Sequence, residues 1–232
     1  MTSNNEIKDW YNTYTRRQTS IGVNLRHYTL IDRAVRAGLR RYHSVLEVGC
    51  GIGTLTGLLS GYLKKGSLMA TDISDESIEI AKERLSDYKN TQFLVSDMSD
   101  FDKKGAFDFI ILPDVLEHIP VEQHHQLFSN LSKALKEKGK ILINIPHPKY
   151  IDYLHENEPE KLQIVDQALS AAILMKDIYE AGLTLVFYES YSIFNRANDY
   201  VSILLEKENP EVYADRPKWQ IILDKLKLRF KY

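Results

Sequence analysis

The chain predicts an α/β protein built on one mixed sheet, with five parallel strands, a C-terminal antiparallel hairpin and helices on both faces. Three observations carry this. Apolar strand-like runs and amphipathic helix-like stretches alternate from residue 44 to 182, and such alternation demands a parallel sheet with right-handed crossovers. Leu183–Ser192 and Tyr200–Glu206 then read as two strands joined by a short polar turn over 194–199, and a link that short joins antiparallel neighbours. No internal repeat or low-complexity linker divides the 232 residues, a length that one α/β domain with decorations fills.

The elements follow in order. Val45-Leu46-Glu47-Val48 is a buried strand carrying one acid, and it runs into Gly49-Cys50-Gly51-Ile52-Gly53. Leu55, Leu58, Leu59 and Tyr62 repeat at i, i+3, i+4, i+7 and mark one face of the helix that follows. Ser67–Thr71 is the second strand, with Asp72 at its end; Ser74 caps a helix whose first turn holds Asp75 and Glu76. Thr91–Val95 is the third strand, followed by Ser96, Asp97 and Met98. Phe107–Leu112 is the fourth, leading into Pro113-Asp114-Val115-Leu116-Glu117-His118-Ile119-Pro120. Leu127, Leu131 and Leu135 define another helix face, Gly139 ends that helical region, and Lys140–Ile145 is the fifth strand. Residues 146–160 read as a loop and about 161–181 as a helix stopped by Gly182.

Composition narrows the function classes. Thirty basic and 32 acidic residues nearly cancel, so nothing marks a general nucleic-acid binder. A single cysteine, Cys50, excludes an intramolecular disulfide and a multi-cysteine zinc site. With a polar N-terminus and no apolar run near the ~20 residues of a membrane span, no integral membrane segment and a cytoplasmic location are expected.

A strand that ends in a Gly-rich turn and a helix start brings backbone N–H groups close to a ligand. Here the glycines are spaced Gly49-x-Gly51-x-Gly53, without the extra spacer of the dinucleotide fingerprint. The Glu47 carboxylate two residues upstream would repel phosphate and attract an ammonium or a sulfonium. This E-x-G-x-G-x-G pattern resembles motif I of the class I S-adenosylmethionine (SAM)-dependent methyltransferases. That family has a Rossmann-like seven-stranded sheet, and the resemblance implies SAM as cofactor. It implies that Asp72, 19 positions after Gly53, holds the ribose hydroxyls. Asp97 would meet the adenine amino group and Met98 would pack on the ring. Gly49, Cys50 and Gly51 of the turn, Ile73 and Pro113 complete the cofactor site, and Arg26, upstream of the motif, is the candidate for the methionine carboxylate. The D-x-L-E-H-x-P run from Asp114 to Pro120 resembles the segment after strand four in the branch that contains the ubiquinone-pathway O-methyltransferases. The resemblance covers roughly residues 40–150.

Three segments flank this core. Residues 1–40, with Trp10, Tyr11, Tyr14, Arg16, Arg17, Arg26, His27 and Tyr28, are expected to form a helical lid over the mouth of the site. The methyltransferase domain then spans 41–207, with 146–160 as a substrate-lid loop beyond the fifth strand. Residues 208–232 end in a basic amphipathic helix of net charge +4 over 218–232, whose Trp219, Ile222, Leu223 and Leu226 are expected to pack on the domain, the alternative being contact with an acidic partner or membrane surface.

Methyl transfer needs an acceptor aligned with the activated carbon, and a hydroxyl acceptor also needs its proton removed. Asp114, Glu117 and His118 at i, i+3, i+4 share one face of a helical turn and form a candidate Mg²⁺ site; some family relatives use a metal at a similar run, with Glu where this chain has Asp114. Without a metal, His118 or His147 is the candidate general base. Tyr11, Tyr14, Tyr150, Tyr153 and Tyr191 make an aromatic mouth suited to a planar or sugar ring. The expected activity is transfer of a methyl group from SAM to a hydroxyl of a small metabolite or glycan. The alternatives are N-methylation of a small amine or amino sugar, and a non-catalytic SAM-binding partner subunit. No Asn/Asp-Pro-Pro-Tyr/Phe run follows the fourth strand, which argues against nucleic-acid base methylation. Oligomeric state is not written in the sequence.

Overall fold

The computed structural model describes residues 22–208 and 215–230. Seven strands form one sheet in the order β3-β2-β1-β4-β5-β7-β6. They are β1 (Ser44–Val48), β2 (Ser67–Asp72), β3 (Thr91–Val95), β4 (Phe107–Pro113), β5 (Leu135–Pro146), β6 (Leu183–Tyr191) and β7 (Tyr200–Lys207). The pairs β2–β3, β1–β2, β1–β4 and β4–β5 are parallel, while β7 lies antiparallel to both β5 and β6. The five-plus-two arrangement expected from the sequence is therefore the observed one. Helices α1 (Leu25–Ala37), α2 (Thr54–Tyr62), α3 (Asp75–Arg84), α4 (His124–Ala134), α5 (Pro148–Asn157) and α6 (Ala171–Glu180) surround it, and α7 (Lys218–Arg229) follows the sheet.

Alternation along the strands explains why both faces are covered. Leu46 and Val48 of β1 join Ile110, Leu112, Ile141 and Ile143 in one apolar cluster with α4 and α6. Val45 joins Phe109, Ile111 and Leu142 in a second cluster with α1 and α2. Successive side chains point to opposite faces, so β1, β4 and β5 are buried on both sides and read as continuous apolar runs. The break in strand order lies between β1 and β4, and in open α/β sheets ligands bind beyond the carboxyl ends at that point.

The structure corrects several sequence expectations. Residues 146–160 are not a loop. His147 caps α5 by accepting the Lys149 N–H through Nδ1, and Pro148 occupies the first turn, where its missing N–H costs nothing. The helix expected from about 161 begins only at Ala171. Its first ten residues are held out of helix by side chains: Asp166 Oδ2 accepts the Gln163 N–H at 2.6 Å, and Gln167 spends its amide on the turn after β4. Gly139 does not end a helix, because α4 stops at Ala134 and Gly139 lies inside β5, where a Cβ would meet the Leu135 side chain. In α7 no residue is buried, and Trp219 is 60 % exposed, contrary to the expected packing of that helix on the domain. Trp10, Tyr11, Tyr14, Arg16 and Arg17 lie outside the described residues.

Candidate functional site

A cleft of 260 Å³ opens at the carboxyl ends of β1, β2, β3 and β4. Its floor is the Gly-rich turn. Gly49, Gly51 and Gly53 all have positive φ, at 75°, 51° and 80°, the region where a side chain is strained and glycine is not. Gly49 and Cys50 both donate N–H bonds to the Thr71 carbonyl at 2.8 Å, which ties the turn to the end of β2. Gly53 then starts α2.

Asp72 anchors this turn from the next strand. Its Oδ2 accepts the Gly51 N–H at 2.7 Å and its Oδ1 accepts the Ser74 N–H at 2.9 Å. Burial pushes its carboxyl up and these backbone bonds oppose the shift. Glu47 lines the same cleft, is fully buried, and has no partner in hydrogen-bond geometry for either carboxylate oxygen. Burial, opposed by the Thr56 hydroxyl beside it and aided by the charge of Asp72, moves it up to about 8. Cys50 is buried and its thiol is pushed well up, so it is a packing residue and not a reactive thiolate.

The third and fourth strand ends complete the lining. Among the described residues the non-glycine positions with positive φ are Met98 (66°) and Asp114 (55°), and both face the cleft. Met98 is held there by its N–H on Ser96 Oγ at 3.0 Å and by Asn130 Nδ2 on its carbonyl at 2.8 Å. Asp97 is exposed and accepts from Ser99 N–H and Oγ. Ile73 and Pro113 also line the cleft.

Arg26 reaches across from α1. Its Nη1 donates to Asp114 Oδ2 at 2.5 Å, and the Asp114 charge holds the guanidinium above its ordinary value. Its Nε is buried without a partner. Asp114 also accepts from Asn144 Nδ2 at 3.2 Å, and Tyr191, stacked under the Arg33 guanidinium at 3.5 Å, donates to Asn144 Oδ1. A polar chain thus runs from the surface of α1 and β6 to the cleft.

Asp114, Glu117 and His118 do not share a helical face. Asp114 sits in a left-handed turn and only Leu116–His118 form a 3-10 turn. Asp114 is committed to Arg26, while Glu117 Oε1 lies 3.8 Å from His118 Nε2. Among the described residues the metal-like cluster that does converge is His125, Asp177 and Glu180, on α4 and α6 and outside the cleft lining. The three residues expected to hold Mg²⁺ therefore do not fit a metal.

His118 lines the cleft with its Nδ1 2.6 Å from the Val165 carbonyl and 3.2 Å from Asp166 Oδ1. Burial works against its charge, but Glu117 and Asp166 outweigh it and hold the ring up to about 9. Burial drives Glu117 upward in turn, against the pull of His118. The two carboxylates beside the ring therefore favour the imidazolium over the neutral form a general base needs. His147 is the cap of α5 and does not line the cleft; burial lowers it. Of the expected aromatic mouth, Tyr150, Tyr153 and Tyr191 are likewise absent from the lining, Tyr153 being turned outward toward Glu158. His27, named with the segment expected over the mouth of the site, lines it, and the sequence reading missed Leu30, Gln123 and Gln163, which do so too. Leu30 belongs to the inward stripe of α1, a periodicity the sequence displays; Gln163 carries no such signal.

Residues 45–139 match the methyltransferase domain family. The chain is 30 % identical over 104 residues to malonyl-[acyl-carrier protein] O-methyltransferase 1 of Ilyobacter polytropus, covering 45 % of this chain and 38 % of that one. It is 31 % identical over 128 residues to the malonyl-[acyl-carrier protein] O-methyltransferase of Anoxybacillus flavithermus, covering 54 % and 48 %. The chain thus spans less than half the length of these relatives. Its fold is that of magnesium protoporphyrin IX methyltransferase from Synechocystis PCC 6803, with a TM-score of 0.70 at 20 % identity over 88 % of this chain and all of the other. The family match, residues 45–139, falls on the strands and turns that build the cleft, and this stretch is similar to the methyltransferase domain of the SAM-dependent methyltransferases.

Proposed function

We propose that this chain transfers a methyl group from SAM to a carboxylate oxygen of a small acceptor. The cofactor fits the cleft by its orphaned groups: Glu47 offers two buried, unpartnered oxygens and Arg26 a buried, unpartnered Nε. A cation and an anion of one ligand would satisfy them, and the amino-acid end of SAM carries both. Asp72 is the group for the ribose hydroxyls, Asp97 and Met98 for the adenine. When bound, SAM supplies a methyl carbon activated on a sulfonium.

The observation that carries the acceptor class is His118. Its ring lines the cleft between the Asp166 and Glu117 carboxylates, which favour its charged form. A cation there accepts no proton, so the acceptor must arrive already unprotonated. A carboxylate does; an alcohol or sugar hydroxyl, the acceptor expected from the sequence, does not. The malonyl group named for two relatives is itself a carboxylate-bearing acyl group. His118 then orients the anionic acceptor, and the walls of the cleft exclude water.

The test has two parts. Calorimetry with SAM should give one site per chain; no binding would sink the methyl-transfer reading and the partner-subunit alternative together. A panel of matched small carboxylic acids, alcohols and amines is then incubated with methyl-labelled SAM. Transfer to the acids as base-labile methyl esters is expected. Label on amines or alcohols alone would overturn the carboxylate assignment, and SAM binding without any transfer would favour a non-catalytic subunit.

A further inference from the structure

Residues 162–169, between α5 and α6, are bonded to the turn after β4 through backbone and side chains. The Gln167 N–H donates to the Glu117 carbonyl at 3.1 Å. Its side-chain Nε2 donates to the Glu117 and Ile119 carbonyls at 3.1 and 2.7 Å. Its Oε1 accepts the Val121 N–H at 3.3 Å. One glutamine thus closes three backbone groups of the 117–121 turn. Beside it, His118 Nδ1 meets the Val165 carbonyl at 2.6 Å and the Asp166 carboxylate at 3.2 Å. The other oxygen of Asp166 accepts the Gln163 N–H at 2.6 Å, and the Asp166 carbonyl is met by His155 Nε2 from α5 at 3.0 Å. The result is a strap beside the cleft, tied through residues 165–167 to the 117–121 turn and to α5. Gln163 is the residue it delivers: its side chain lines the cleft, and its Oε1 is buried without a hydrogen-bond partner. A buried amide oxygen left unbonded is costly, and a substrate or a water held by it removes that cost.

We propose that Gln163 is an acceptor-binding residue, and that Asp166 and Gln167 are positioning residues that clamp the 162–169 strap onto the 117–121 turn and so hold the Gln163 carboxamide toward the acceptor. A carboxamide presents a donor and an acceptor side by side. It can therefore donate to an acceptor carboxylate while its oxygen takes a hydroxyl or amide N–H on the same molecule. The acceptor class that fits is a carboxylate with a neighbouring donor. The specificity part of this inference rests on the methyl-transfer reading; the clamp does not.

The experiment uses the full chain saturated with S-adenosylhomocysteine. Amide hydrogen exchange is compared between the wild type, Asp166→Asn and Gln167→Met. Exchange in peptides covering 116–121 and 162–169 should rise at least tenfold, with the β1, β4 and β5 peptides unchanged and the SAM Kd within twofold of wild type. Exchange at the strap within twofold of wild type in both variants would overturn the clamp, and so would a rise spread evenly over the sheet. Gln163→Met breaks no side-chain bond of the clamp and serves as the second arm. On the carboxylic acid from the panel that wild type methylates fastest, it should raise KM at least tenfold and leave kcat within threefold. An unchanged KM would remove Gln163 from the acceptor site. A panel in which no acid is methylated would refute the carboxylate reading, and the exchange arm would still decide the clamp.

Discussion

The Gly49 position allows a prediction that joins the two turns of the cleft. An alanine Cβ there would lie 2.1 Å from Val115 Cγ2, 3.2 Å from Cγ1 and 3.3 Å from Cβ. Carbon atoms pack at about 3.5–4.0 Å. Turning the valine relieves the first contact but not the other two, and its χ1 is stiff. Val115 also packs against the main core cluster, so it has little room to retreat. Gly49→Ala therefore incurs about 1–2 kcal/mol of left-handed backbone strain, because φ is 75°, and about 1–3 kcal/mol of overpacking. Val115→Ala alone should cost about 1 kcal/mol, as a half-buried side chain loses part of its packing. In the double variant the overpacking vanishes, so the two changes should couple favourably by about 1–3 kcal/mol. Gly38→Ala is the control: φ is 114° and a Cβ meets nothing within 4 Å, so only strain of about 1–2 kcal/mol remains. Urea denaturation followed by two spectroscopic probes measures all four variants, and coincident curves check two-state behaviour. A double variant whose loss equals the sum of the singles within about 0.5 kcal/mol would refute the contact between the glycine turn and Val115.

Three further outcomes follow from the same geometry. Asp72→Ala should weaken SAM binding by roughly 1.5–3 kcal/mol, the scale of hydrogen bonds to a charged group; calorimetry reads it, and unchanged affinity removes Asp72 from the ribose. Glu47 sits near 8 in the free protein, so binding a cation beside it at pH 7 should expel a proton. SAM affinity should then rise with pH from 6 to 8, and calorimetry in buffers of different ionisation enthalpy should show proton release that Glu47→Gln abolishes. For His118 the folded value of about 9 lies above the ordinary 6.5. The stabilisation it contributes is therefore complete below pH 6.5 and lost as pH rises through about 9. With the side chain only 10 % exposed, the loss is on the order of 3 kcal/mol, and the stability gap between wild type and His118→Gln should close by that amount between pH 6 and 10. Parallel curves would show that the ring is not held charged.

The legible part of this molecule is the part in which local and global preferences agree. Leu46, Val48, Ile110, Leu112, Ile141 and Ile143 face one layer of helices and Val45, Phe109, Ile111 and Leu142 the other, and runs apolar on both faces mark central strands without help from context. Gly49, Gly51 and Gly53 were readable for a different reason: a positive φ leaves few other residues able to serve. The misreadings share one cause, which is tertiary bonding that overrides local pattern. Asp166 and Gln167 sit in a sequence that continues smoothly into α6, yet their side chains are consumed by Gln163, His118 and the 117–121 turn. The helical spacing of Asp114, Glu117 and His118 misled because the left-handed turn at Asp114 shifts its side chain off that face. For α5 the sequence does carry a signal: Pro148 after a side chain able to cap is a helix start. For α7 the amphipathic pattern was real, but Trp219, Ile222, Leu223 and Leu226 stay exposed.

Arg26 brings the remaining question to a test. The resemblance assigned it to the methionine carboxylate, and in the structure it is already paired with Asp114 at 2.5 Å. The two roles are compatible, because a guanidinium has five N–H donors in a planar fork and the salt bridge leaves Nε buried and unpartnered. Asp114 fixes the plane of the fork, so a second carboxylate meets a donor whose orientation is already set. Leaving such a donor empty costs about 1–3 kcal/mol, and the same holds for the two oxygens of Glu47. A large share of cofactor affinity should therefore come from the zwitterionic end of the ligand. Comparing S-adenosylhomocysteine with 5′-methylthioadenosine, which lacks that end, isolates the share. In the wild type the first should bind at least a hundredfold more tightly. Arg26→Met should cut that ratio at least tenfold while leaving 5′-methylthioadenosine affinity within about twofold. If both ligands weaken equally, Arg26 shapes the cleft through Asp114 and does not touch the cofactor. If neither weakens, the orphaned Nε meets no group of the cofactor.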